Sequence, residues 1–379
     1  MAQNKLHTCF QLNNNSFSNV NELLYYAQNS SKEIYPFLKE WFSNKRDITV
    51  QTSGSTGAPK AIQLQKEHVV NSALTTGNYF SLAENTTALL CLPVAYIAGK
   101  LMLIRAITLG WHLDVVQPDS NPLKDIFKEY DFSAMVPLQV ENSLDKLPQI
   151  KKLIVGGGVV SKKLQDKLQT LSTEVFATYG MTETITHIAV KKLNKLNFDG
   201  VKYYISRSFR AQSSGYFSVL PNITIYKDER NCLVIKAPKV SKEVIFTNDV
   251  VRLISDTQFE WLGRLDHVIN SGGVKLHPEK IEEKFSAIIK NRFFVTGISD
   301  EKLGEKLILV VELESSKASG FKSILFKKIK NLQSLSKFEI PKEIYFVEQF
   351  IETETGKIQR SKTLLKARGC HKSKFNGYF

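Results

Sequence analysis

Six short stretches of this 379-residue chain hold the groups best suited to chemistry. The first is Thr52-Ser-Gly-Ser-Thr-Gly-Ala-Pro-Lys60, directly after the apolar, β-branched run Ile48-Thr-Val50. The hydroxyls of Thr52, Ser53, Ser55 and Thr56, with backbone N–H groups freed by Gly54 and Gly57, put many donors near one anion, and Lys60 adds positive charge. This is phosphate-loop chemistry without the Walker pattern, because Pro59 stands where a second glycine would be and Ala61 follows the lysine. A solvated Ser/Gly turn accounts for the same residues on composition alone. The second stretch, Thr178-Tyr-Gly-Met-Thr-Glu-Thr184, ends a strand pattern with the ring of Tyr179, the hydroxyls of Thr182 and Thr184, and the carboxylate of Glu183. An aromatic ring can stack on a base, and a carboxylate oxygen suits Mg²⁺. Thr247-Asn-Asp249, Gly263-Arg-Leu-Asp266, Ser271-Gly-Gly273 and Thr355-Gly-Lys-Ile-Gln-Arg360 add further acids, cations and bends.

Elements must hold these stretches in place. From Ala88 to Gly180, apolar runs such as Ala88–Val94, Phe132–Val136 and Lys151–Gly156 alternate with helical patterns around Lys100–Gly110 and Ser161–Leu171. Strand then helix, repeated, predicts a mostly parallel α/β sheet. From Gly215 to Leu262 closely spaced β segments with turn residues predict an antiparallel, β-rich subdomain. After Asn270 the Gly272-Gly273 bend, Pro278 at a helix start and acidic residues behind it open a small α+β unit with a Lys-rich helix over 321–335. The expected fold class is therefore α/β, with a large N-terminal domain over 1–265 and a small α+β C-terminal domain over 266–379.

The composition is that of a soluble globular chain, 42% hydrophobic and 23% charged, which excludes extended disorder and collagen-like sequence. Cys9, Cys91, Cys232 and Cys370 are too scattered for a zinc knuckle or disulfide framework, and they point to a reducing cytoplasm. The most apolar stretch, Ala88–Trp111, is interrupted by Pro93, Lys100 and Arg105, so no membrane span is expected. A net charge of +14, with 21 basic against 14 acidic residues from Asp266 onward, favours anionic partners. Nucleic acid is a weak candidate among them, because no module of interleaved basic and aromatic residues appears.

Taken in order, TSGSTGAPK, Gly156-Gly-Gly158, YGMTET, TND, GRLD, SGG and TGKIQR resemble the motif series of the adenylate-forming acyl-CoA synthetases, and the series covers Thr52 to Arg360. PVAYIAGKLMLIRA, YDFSAMVPLQVENSLDKL and NSGGVKLHPEKIEEK resemble most the short bacterial o-succinylbenzoate-CoA ligases of menaquinone synthesis. The phosphate loop starts at residue 52, earlier than in typical relatives, which implies an abbreviated N-terminal subdomain. Tyr96 stands where many relatives place a histidine beside the acyl pocket, and no proline precedes the Thr355-Gly-Lys357 turn.

The resemblance implies a two-step reaction with ATP, Mg²⁺ and CoA: a carboxylate attacks the α-phosphorus to give an acyl-adenylate, then the CoA thiol displaces AMP. Thr52, Ser53, Gly54, Ser55, Thr56, Gly57 and Lys60 would hold phosphates, with Glu183 as the Mg²⁺ ligand and Thr182 beside it. Tyr179 would stack on adenine, Asp249 would take the ribose hydroxyls, Arg264 would reach ribose and phosphate, and Gly156, Gly157 and Gly158 would let backbone approach base and acyl group. Lys357 would bridge carboxylate and α-phosphate. Asp266 would be the hinge about which the C-terminal domain turns, bringing Ser271, Gly272 and Gly273 to the CoA tunnel. Tyr96, Gln139 and Thr184 are the acid-pocket candidates. His187 reads as a core or pocket-lining residue, since neither step needs a strong base, and Cys91 reads as core. A dianionic aromatic acid also needs a second anion site, which no motif supplies. Other aryl or fatty acids, or loading of an acyl carrier docked on Lys322–Lys330, remain alternatives, and a homo-oligomer is possible.

Overall fold

A computed structural model of the chain describes residues 5–51, 61–194, 215–353 and 358–369. Its frame is a 13-stranded sheet whose middle is parallel. Strands Thr87–Leu90, His112–Val115, Tyr130–Met135, Ile150–Val155 and Glu174–Gly180 run in one direction, joined by helices that include Ile97–Leu109 and Lys162–Leu168. Such strands are covered on both faces and so read as continuous apolar runs. Phe132, Leu153, Ile154, Val155 and Val175 are all buried. Helix Ile97–Leu109 is apolar almost all round, with Leu101 to Ile107 buried, and it stops at Gly110, whose left-handed backbone closes the last turn.

The order of the parallel strands decides where a ligand can enter. Thr87–Leu90 lies between His112–Val115 and Tyr130–Met135, so the chain leaves it first to one side and then to the other. A crevice opens at the carboxyl ends of strands around such a switch point. Tyr96, the helix Pro137–Asn142, Gly156–Gly158 and Thr182–Thr184 all follow carboxyl ends of these strands.

The antiparallel strands appear as expected over Phe217–Arg264, but they extend the same sheet: Phe217–Val219 pairs with His187–Lys192 on one side and with Gln258–Arg264 on the other. Ile188, Ile225, Leu233, Val251 and Phe259 form the core beneath them. A second sheet of five strands begins at Ile269. Its face is covered by Ile281, Phe285, Leu325 and Ile329 from two helices. The Lys-rich helix runs Ser315–Lys330, earlier than the expected 321–335. Asn331 caps it, and Leu332 and Leu335 then turn into the core as separate contacts. No described helix is long and apolar enough to cross a membrane.

Candidate active site

Strand Glu174–Gly180 delivers Tyr179 to the junction of the parallel and antiparallel halves, where strand Ile245–Ser255 brings Asp249. The Tyr179 hydroxyl donates to Asp249 Oδ2 at 2.6 Å, and Trp261 Nε1–H donates to Oδ1 at 3.1 Å. Burial, then the Asp249 charge, push the Tyr179 phenol well above its ordinary value, so it remains a donor at neutral pH. Asp249 is itself buried, and its N–H donates to Thr247 Oγ1 at 3.0 Å. A carboxylate has about four lone-pair sites, so two protein donors fix its orientation and leave capacity for a diol. Arg264 lies opposite Asp249 in the ladder and donates from Nε to Asp266 at 3.0 Å. The ring of Tyr179 meets Phe259 nearly at right angles at 5.1 Å and leans on Phe217 at 5.8 Å. Tyr179 is thus a positioning donor for Asp249, a role its sequence context did not suggest.

On the neighbouring parallel strand, Gly156–Gly158 leaves the carboxyl end of Ile150–Val155 beside Thr178, whose hydroxyl donates to the Val155 carbonyl at 3.1 Å. The turn after Tyr179 is tight and strained. Thr186 N–H donates to the Thr184 carbonyl at 2.7 Å, which makes a γ-turn centred on Ile185 at φ 65° and ψ −53°. This conformation is rare for a β-branched residue and costs on the order of 1–3 kcal/mol. Gly180 permits it, since a Cβ there would lie 2.2 Å from the Thr186 carbonyl oxygen. The strained turn leaves Glu183 exposed, with no hydrogen bond or ion pair among the described residues. A free carboxylate on a short turn fits a hard cation with oxygen ligands such as Mg²⁺.

The acid-pocket candidates fare differently. Tyr96 sits 38% exposed at the start of helix Ile97–Leu109. Gln139 is spent on the scaffold: its amide donates to the carbonyls of Cys91 at 3.1 Å and Asp119 at 3.0 Å, and its oxygen accepts from Val136 N–H. That leaves no donor for an acid. Thr184 is fully buried, with its hydroxyl bonded to Met181 and Thr186 backbone. Cys91 is buried and its thiol is pushed up to about 12 by burial, so it is a core residue.

The group that motif reading missed is Arg105. It lies on the buried side of helix Ile97–Leu109, only 3% exposed, and donates to Thr186 Oγ1 at 3.0 Å. No carboxylate among the described residues pairs with it, its Nε has no partner, and burial lowers it to about 10. A cation taken from water without a counter-ion is costly. In the sequence it had only the appearance of a charge breaking an apolar run.

Beside it, His187 is buried, with Nδ1 3.2 Å from Thr186 Oγ1 and Nε2 unpartnered among the described residues. Burial, then the charge of Arg105, lower it to about 3. The ring is neutral in the native state and titrates near its ordinary value once unfolded. Its contribution is therefore present above pH ~6.5 and is lost as pH falls toward 3. Glu282 has the opposite sign: burial, against the pull of Arg360, raises it to about 7, so its contribution is present below pH ~4.5 and is lost as pH rises through 7. Comparison of wild type with His187→Gln cancels Glu282. Between pH 6.5 and 5, denaturant melts should show wild type losing about 1–2 kcal/mol relative to the variant; parallel curves would mean that His187 is protonated in the fold.

Thr52–Lys60 and Glu354–Lys357 lie outside the described residues. Their flanks are paired, Gln51 with Ala61 and Glu352 with Ile358. Ser271 and Val274 close a two-residue hairpin through Gly272 and Gly273, both at positive φ, as that turn requires. Among the described residues His7, Cys9 and Glu84 also gather, but Cys9 N–H donates to His7 Nδ1, which leaves the proton on Nε2, facing Glu84, and not a metal-binding lone pair.

Comparisons with known proteins match residues 30–207 to the family of AMP-binding enzymes. The chain is 25% identical over 340 residues to a 2-succinylbenzoate–CoA ligase of Geobacillus sp. strain WCH70, an alignment that spans 82% of this chain and 66% of the relative. It is 36% identical to a solved acyl-CoA synthetase (AMP-forming)/AMP-acid ligase II-like protein from Dyadobacter fermentans, with TM-score 0.55 and coverage of 88% and 93% of the two chains. The O-succinylbenzoate coenzyme A synthetase of Bacillus subtilis, solved with ATP and magnesium, shares the fold at TM-score 0.69 and 19% identity, over 91% of this chain and 82% of that one.

Proposed function

Because this chain belongs to the AMP-binding enzymes, we propose that it is an AMP-forming acyl-CoA synthetase whose acid is 2-succinylbenzoate. The observation that carries the substrate is Arg105, a buried guanidinium without a carboxylate partner among the described residues, beside the strained turn that follows Tyr179. A dianionic acid brings one carboxylate to react and a second that would complete this unpaired charge.

In this reading Tyr179 and Trp261 hold Asp249 ready for the ribose hydroxyls, the Tyr179 ring meets adenine, and Arg264 lies next to the ribose and phosphate. Thr52–Lys60 binds the β and γ phosphates. Glu183 would hold Mg²⁺, which when bound neutralises triphosphate charge. The acid's carboxylate oxygen bonds to the α-phosphorus as the bond to pyrophosphate breaks, and Lys357 stabilises the charge crowded between them. The thiol sulfur of CoA then bonds to the acyl carbon, its proton is lost to solvent, and AMP leaves. His187, neutral and enclosed, takes no part in proton transfer.

Two domains joined at Asp266 would present Lys357 for the first step and the Ser271–Gly273 hairpin for the second. The test is to incubate the protein with Mg-ATP, CoA and a panel of acids and to follow acyl-CoA and AMP by mass spectrometry. 2-Succinylbenzoyl-CoA as the dominant product is the expected result. Preference for a monocarboxylic acid would remove the substrate assignment, and an adenylate untouched by free CoA would point to carrier loading.

A further inference from the structure

The residues on either side of 354–357 are firmly tied. Glu352 and Ile358 form an isolated antiparallel bridge, Gln359 N–H donates to the Ile351 carbonyl at 2.8 Å, and the Gln359 side chain donates to the Glu352 carbonyl at 2.8 Å. Next comes Arg360, the first residue of helix Arg360–Ala367 and three positions after Lys357. Its side chain is half-buried and turns toward helix Pro278–Phe285. It pairs with both oxygens of Glu282 at 2.9 Å and donates to the Val295 carbonyl at 3.0 Å. It also lies over the ring of Phe294. Glu282 in turn accepts from Val295 N–H at 2.7 Å. This fork, flat and two-pronged, is a contact arginine can make and lysine cannot.

The same guanidinium lies 3.7 Å from Glu279, and Glu279 contacts His267 Nδ1 at 2.5 Å. His267 immediately follows Asp266. The second Glu279 oxygen packs on Gly263, where a Cβ would come within 2.2 Å of it. Gly263 thus lacks a side chain because a carboxylate from helix Pro278–Phe285 fills the space. One continuous polar chain therefore runs from His267, next to Asp266, through Glu279 and Arg360 to the stem of the segment that carries Lys357.

We propose that Arg360 is a positioning residue for adenylate formation, fixing that stem through Glu282 and linking it to the hinge through Glu279 and His267. The proposal rests on the roles given above to Lys357 and Asp266. It separates the two half-reactions, because Lys357 serves only the first. A purely structural staple would weaken both halves together, whereas a positioning residue affects the step in which Lys357 takes part.

The test uses the full chain and Arg360→Lys, which keeps the charge and loses the fork. Adenylate formation is followed by pyrophosphate release in a single turnover, and the second half by CoA-dependent consumption of synthetic acyl-adenylate. Adenylation kcat is expected to fall ~10–100-fold, the effect of misplacing a reacting group by about 1 Å. KM for ATP and acid, and the thioester half, should stay within about twofold of wild type. His267→Ala should lower the same half less. If Arg360→Lys does not fold, Glu282→Gln carries the comparison, with a smaller loss in the same direction. Equal loss in both halves, or none in either, overturns the proposal. A wild type that forms no adenylate with any acid overturns the ligase reading, and this proposal with it, whatever the variants do.

Discussion

Lys357→Ala is expected to slow adenylate formation by roughly a hundredfold or more, the typical effect of removing one group that stabilises charge developing in a transition state. In the proposed mechanism the crowding is severe: the attacking carboxylate, the α-phosphate and the departing pyrophosphate are all anionic. A single ammonium between the first two acts most strongly as bond order shifts from one oxygen to the other. The substitution should leave ATP affinity nearly unchanged, because in that mechanism Thr52–Lys60 and Mg²⁺ would hold most of the phosphate charge. Synthetic acyl-adenylate should still be converted by CoA at close to the wild-type rate. Pyrophosphate release and thioester formation, measured separately, decide the matter: a variant that loses both equally would show that Lys357 supports the fold and not the first step.

The second large effect is at Arg105, and it has opposite signs for stability and function. The guanidinium is 3% exposed, and its hydrogen bonds among the described residues go to Thr186 Oγ1 and the Met102 sulfur. An unpaired buried charge destabilises the empty protein, so Arg105→Met, similar in volume and apolar, should raise the melting temperature by a few degrees, corresponding to about 1–3 kcal/mol. The same change should raise KM for 2-succinylbenzoate ~100-fold, because losing one partner of a buried charge pair costs about 2–5 kcal/mol. A monocarboxylic benzoate, with nothing to offer Arg105, should be affected far less. Added 2-succinylbenzoate should raise the melting temperature of wild type and not of the variant. A variant that melts lower and keeps its KM would show a structural arginine and remove the observation on which the dianion rests.

Much of the frame was legible because its signals are local. The parallel strands are buried on both faces, so their apolar runs stand out, and the helices between them announce the crossover topology. The Gly272-Gly273 turn and the helix start at Pro278 follow from backbone preferences of single residues. Element ends were less legible. The helix at Ser315–Lys330 begins in a weakly patterned Ser/Ala/Gly stretch, and its expected end was drawn too late because Leu332 and Leu335 continue an apolar spacing after the backbone has left the helix. That the antiparallel strands would join the parallel sheet was also invisible, since pairing of Phe217–Val219 with His187–Lys192 is a long-range choice that leaves no local mark.

For the site, the sequence by itself determined which chemical groups are present and in what order: hydroxyls, glycines and a lysine suited to phosphate, a carboxylate at Glu183, an acid at Asp249 and a lysine at 357. Residue type fixes charge and hydrogen-bonding capacity, and such properties need no fold to be read. Only the tertiary structure decided what those groups touch. It brought Tyr179 to Asp249 across 70 positions, committed Gln139 to the scaffold, and linked Arg360 to the neighbourhood of Asp266. It also turned Arg105 from an interruption in an apolar run into a buried cation without a counter-ion among the described residues. The reason is physical: the energy of a charge or a hydrogen bond depends on the water excluded around it and on partners distant in sequence, and both exist only after the chain has packed.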